Sequence, residues 1–144
     1  MATRIPVTLH EVVLHFDAYA DAYLRKHHGM TFSHFRFLTT LAELGTSSVT
    51  ELAECLIVSK AAVSKRVPEL VADGWVVTSG DPGNARRVML DLTPQAWAVV
   101  EAAGGKLDSD FTDILGQVPG LDPDQLNSQL NAINELLLQK AAQR

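Results

Sequence analysis

"SKAAVSKRVPELVADGWVVTSGDPGNARRVMLDLT", residues 59 to 93, changes its apolar period part-way, and that change decides the fold. In the first half Val63, Val67 and Leu70 recur at i, i+4 and i+7 behind Ser59, a good N-cap. That is the spacing of one buried helical face. In the second half "WVVTS" (75–79) and "RRVMLDL" (86–92) are short β-prone runs, and the "GDPGNA" between them is a cluster of turn formers. The stretch therefore predicts a helix ending near Asp73-Gly74, then a hairpin with an exposed tip. Pro68 sits inside the helix, where its ring opposes the Ser64 carbonyl at a cost of about 3 kcal/mol. The first two turns form without it, so a helix that continues through Pro68 with a bend is expected.

Working outward, "SVTEL" (48–52) is a capping box, Ser48 with Glu51 three residues on, opening a short helix over about 49–56 that buries Leu52, Ala53 and Leu56. Thr31 caps another helix, with Phe35, Leu38, Leu41, Ala42 and Leu44 inward and Gly45 closing it. The first helix carries a stripe from Leu9 to Leu24 and stops at Gly29. Downstream, Thr93-Pro94 and Asp122-Pro123 are helix starts, the proline at the first helical position where its missing N–H costs nothing. Gly104-Gly105 weakens the middle of the helix between them. The last helix carries Leu126, Leu130, Ile133, Leu136 and Leu137. The fold class is mainly α with a small β-hairpin wing: a winged helix-turn-helix flanked by helices at both ends. Those end helices carry apolar stripes that so small a domain cannot cover, which points to a two-fold dimer.

At 144 residues the chain has single-domain length, and 47% apolar residues suit a packed core. Its net charge of −5 argues against a purely electrostatic nucleic-acid binder. Charge is segregated, however. Residues 57 to 90 hold five cations (Lys60, Lys65, Arg66, Arg86, Arg87) against Glu69, Asp73 and Asp81, a net of +2 that leaves −7 for the rest. One cysteine, Cys55, excludes an internal disulfide and suits a reducing cytoplasm. No signal peptide or membrane span is expected.

From Thr31 to Thr93 the chain resembles the MarR family of winged-helix transcriptional regulators. The resemblance is carried by "MTFSHFRFLTTLAELG", "SVTELAECLIVSKAAVSKRVPELVADGWV" and "GDPGNARRVMLDLT", in family order and spacing. It implies one MarR-like domain over 1–144, with a DNA-binding lobe over about 31–92 and dimerisation helices over about 5–28 and 93–144. It also implies a homodimeric repressor on an inverted-repeat operator, released by a small aromatic effector. Three features depart from the family: a wing tip one residue longer, Ala61 and Ala62 where Ser or Thr is usual, and Pro68.

On the helix after Ser59, the face opposite the apolar one carries Lys60, Ala61, Ser64 and Lys65, with Arg66 beside it. In helix-turn-helix docking the N-terminal end of this helix meets base edges in the major groove. Lys can donate to guanine, Ser to several edges, and Ala can touch a thymine methyl. Two alanines make a less polar reader, which shifts specificity toward DNA shape and the wing. On the wing, Asn84 and Arg86, or Arg87 beside it, reach the flanking minor groove, and by resemblance Asp81 steadies the arginine. A cation cluster taken alone is more often a solvated face; fold order, caps and wing together favour DNA.

Other chemistry is weaker. His10, His15, His27, His28 and His34 do not have the convergent spacing of a zinc site, so no metal and no cofactor are expected. Cys55 lacks a partner thiol and reads as a structural cysteine. His15, Tyr19, His34, Phe35 and Arg36 are the candidate lining of an effector cleft, although aromatic residues at helical spacing are more often core. There is no Gly-rich phosphate loop, nucleophile elbow or Cys/His pair, so the chain is not read as an enzyme. The rival readings are a winged helix used for protein–protein contact, or a metal- or redox-responsive regulator of the same fold.

Overall fold

A computed structural model describes residues 4 to 143. The elements in chain order are α1 (Ile5–His28), α2 (Phe32–Leu44), β1 (Ser47–Ser48), α3 (Val49–Leu56), α4 (Lys60–Ala72), β2 (Val76–Asp81), β3 (Asn84–Leu92), α5 (Pro94–Gly116) and α6 (Pro123–Ala142). The chain forms two compact units that divide at Gly105, inside α5.

The expected helix starts are all present, because a cap is settled within three residues. Thr31 Oγ1 accepts from the His34 N–H at 3.1 Å, Ser48 Oγ from Glu51 N–H at 3.2 Å, and Ser59 Oγ from Ala62 N–H at 3.1 Å. Thr93 Oγ1 accepts from Ala96 N–H at 3.1 Å, and an Asp122 carboxylate oxygen accepts from Asp124 N–H at 3.0 Å. Gly29 closes α1 in the left-handed region, at φ 60°. Helix α4 runs uninterrupted through Pro68.

The sheet departs from the expected two-stranded hairpin. Strand β1 adds a third strand in the order β1-β3-β2, antiparallel throughout, with Ser47 opposite Leu90 and Ser48 opposite Met89. Two residues carry no alternation, so only pairing across forty residues of sequence makes them a strand. The hairpin strands also reach further than expected, leaving Pro82-Gly83 as the turn. The added length is absorbed by a register break: Gly80 faces Val88, whereas Asp81 faces Asn84. Ala85, Arg86 and Arg87 thus have no opposite residue on β2.

In the first unit Leu24, Phe37, Leu38, Leu41, Leu52, Val63, Leu70, Val76 and Leu90 form the core, each almost wholly buried. Helix α3 packs on α2 and α4, and β2 on α4. Val67, expected on the buried face of α4, is only half-buried. The α4–β2 connection turns at Gly74, at φ 80°, and is tied down by Thr93 Oγ1, which donates to the Gly74 carbonyl at 2.7 Å.

Ile57, at the turn between α3 and α4, adopts φ 57° and is 87% exposed. A β-branched residue in the left-handed region carries about 1–2 kcal/mol of strain, whereas Asn tolerates it. Ile57→Asn is therefore expected to raise unfolding stability by about 1 kcal/mol in urea titration, since little packing is lost. A fall in stability would show that the turn is not strained.

The helices at the chain ends leave apolar side chains in solvent. In α1 Ile5, Val7, Leu9, Val12, Val13 and Leu14 are exposed, and only Ala20 and Leu24 are buried. In the second unit α6 buries none of its residues, and Leu136, Leu137 and Leu138 are more than half exposed. Among the described residues no helix is long and apolar enough to cross a membrane.

Candidate nucleic-acid interface

Helix α4 presents the site. With 100° per residue, Lys60, Ala61, Ser64, Lys65 and Pro68 share one face, and all five are exposed, as is Ser59 at the cap. Val63 and Leu70 lie opposite, in the core. A buried face anchored at two positions holds the basic face outward along its first two turns.

Arg66 departs from the expected surface. It is half-buried and lines an open cavity of about 430 Å³ between α1, α2, the end of α3, the α3–α4 turn and α4. Asp17, Asp21, Phe32, Arg36 and Ala62 are among the other lining residues. Position 66 lies 240° around the helix from Lys60, next to the core side, which is why it turns inward while Lys65 does not. Asp21 accepts from the Phe32 N–H at 2.8 Å and from Arg25 Nε at 2.7 Å. The backbone bond first, then Arg25, holds its carboxyl below the usual carboxylate range.

The five residues read as an effector cleft do not converge on this cavity; only Arg36 lines it. His15 and Tyr19 are exposed on α1, and Phe35 is buried. His34 Nε2 lies 3.7 Å from Glu69 Oε2 of α4. Among the described residues no group of three or more His, Cys, Asp or Glu side chains could hold a metal ion, and Cys55 is exposed.

The wing tip is built on local bonds. An Asp81 carboxylate oxygen accepts from the Gly83 N–H at 2.9 Å, and Asn84 Oδ1 accepts from the Arg86 N–H at 3.0 Å. The two arginines, undivided in the sequence, have different surroundings. Arg87 pairs with Glu51, donates to Ser48 Oγ at 3.1 Å, and has Nη1 3.8 Å from Asp81 Oδ2. Arg86 is exposed, and among the described residues no side-chain bond to its guanidinium is found. In the sequence Ser48 and Glu51 read as a helix cap alone. Their second role depends on Arg87, 36 positions beyond Glu51, and no local pattern signals it.

Residues 28–87 match the MarR family model. No curated protein matches the chain in sequence. Among solved structures the chain is similar to a mutant MarR from E. coli complexed with operator DNA, with TM-score 0.74, 23% identity, and 92% of this chain and 93% of that one covered. It is also similar to the transcriptional regulator BldR from Sulfolobus solfataricus, with TM-score 0.78, 21% identity and 94% of each chain covered. A third is the S. aureus MepR–DNA complex, with TM-score 0.77, 18% identity, and 94% and 99% covered. The winged-helix segment thus resembles the MarR family in sequence, and the chain shares the fold of these solved structures almost end to end.

Proposed function

We propose that the chain is a sequence-specific DNA-binding transcriptional regulator, a homodimer that represses from an inverted-repeat operator in the cytoplasm. The observation that carries this is the pairing, within a chain of net charge −5, of an exposed small-and-basic face on α4 with an exposed arginine on the wing. Two of the similar structures, the E. coli MarR mutant and S. aureus MepR, hold DNA, which supports the same use of this fold. Lys60, Ser64 and Lys65 meet base edges and phosphates in the major groove, and Arg86 and Asn84 enter the minor groove beside it. The exposed apolar faces of α1 and α6 are the surface a second copy covers. A small aromatic effector, held beneath α4 with Arg36 and Arg66 in reach, releases the DNA by shifting that helix.

Selection of bound DNA from a random pool at about 0.1 M salt tests the reading. The expected result is an inverted repeat whose half-sites lie about one helical turn apart, bound with an affinity that falls steeply with salt. No enrichment, or binding indifferent to salt, overturns it in favour of a protein-binding winged helix.

A further inference from the structure

We infer that Arg87 is the positioning residue of the wing, a latch that ties the hairpin to the start of α3 and leaves Arg86 as the arginine that enters the groove. This rests on the DNA-binding reading for its consequence, but not for its geometry.

The register of the sheet supplies the need for a latch. Strand β1 ends at Ser48, opposite Met89, because α3 begins at the next residue. On its other side β3 loses β2 between Val88 and Asn84. Arg87 therefore lies just where β3 has run out of backbone partners on both sides. A bulged strand commonly re-aims a side chain at such a point. Here the Arg87 guanidinium takes over from the ladder. It reaches Ser48 and Glu51 at the cap of α3 and lies 3.8 Å from Asp81 on β2. Ser48 is itself 2% exposed and donates to Glu51 Oε1 at 3.1 Å, so the carboxylate is also held from the α3 cap. One side chain thus joins both wing strands to the helix that precedes the reader.

Charge separates the two arginines as well. Arg87 is already neutralised by Glu51 and releases few counterions when phosphate approaches, whereas Arg86 brings an uncompensated charge. The Arg87–Glu51 pair is about two-fifths exposed on each side, and a pair so exposed adds little to global stability. What it sets is the position of the tip.

The test combines salt titration of DNA affinity with amide exchange of the free protein. Arg86→Ala is expected to lower the slope of log K against log salt by about 0.9. Arg87→Ala and Glu51→Gln should each weaken binding about five- to tenfold with the slope unchanged, because a loosened tip must be ordered on binding. Gln retains the capping box of α3. The double variant should be no weaker than either single one. In the free protein the Gly83 and Arg86 amides should exchange several-fold faster in both single variants. If Arg87 instead contacts phosphate, its removal lowers the slope and Glu51→Gln strengthens binding, and the latch is overturned. Unchanged amide exchange overturns it whatever the DNA result. Faster exchange in a protein that binds no DNA sustains the latch and refutes the proposed function.

Discussion

Leu90→Ala is expected to lower the unfolding free energy by about 3 kcal/mol, within the range of about 2–5 kcal/mol for buried Leu-to-Ala changes. Leu90 is fully buried at the centre of the three-stranded sheet, opposite Ser47 on one side and Thr78 on the other. Its loss opens a void between sheet and helices that neither neighbouring strand can close without breaking its own ladder. Val88 lies on the same strand face two residues nearer the tip, beyond the cover of the helices, and is 47% exposed. Val88→Ala should cost under about 1 kcal/mol. Urea titration of the two variants, with the slope m unchanged, separates them. Equal losses would show that the wing, and not the sheet–helix contact, holds this strand.

The second large effect falls on binding. Lys60→Ala combined with Lys65→Ala should weaken DNA binding about 100-fold or more at about 0.1 M salt, at roughly 1–3 kcal/mol per contact if each reads a base. The slope of log K against log salt should fall by nearly two, one counterion for each lysine. Both positions are exposed and alanine favours helix, so the thermal midpoint should hold or rise. Fluorescence anisotropy on the selected operator across a salt series measures both quantities. An unchanged slope would remove this face of α4 from the interface, whereas a lowered midpoint would indicate damage to the fold instead.

These expectations draw on different levels of the molecule. The outward face of α4 was legible from the sequence, because a 3.6-residue period places Lys60, Ser64 and Lys65 opposite Val63 and Leu70 whatever the tertiary context. Arg66 was not. It stands one step beyond Lys65, and whether that step meets water or a cavity depends on where α1 and α2 lie. The five residues read as an effector lining are not gathered on one cavity for a related reason. His15, Tyr19 and Phe35 are aromatic or polar at helical spacing, which marks a face without saying what the face meets; the structure puts two in solvent and one in the core.

Five of the six helix starts were decided by the sequence alone, since a cap such as Ser59 or Thr93 satisfies an N–H three residues away and needs nothing else of the fold. The passage of α4 through Pro68 rests in addition on the packing of Val63 and Leu70 on either side of it, which offsets the lost hydrogen bond. The third strand, the inward turn of Arg66 and the division of labour between Arg86 and Arg87 were decided only by tertiary structure. Each turns on a partner that the chain brings close by folding, as Glu51 is brought to Arg87, and a one-dimensional pattern holds no record of that distance.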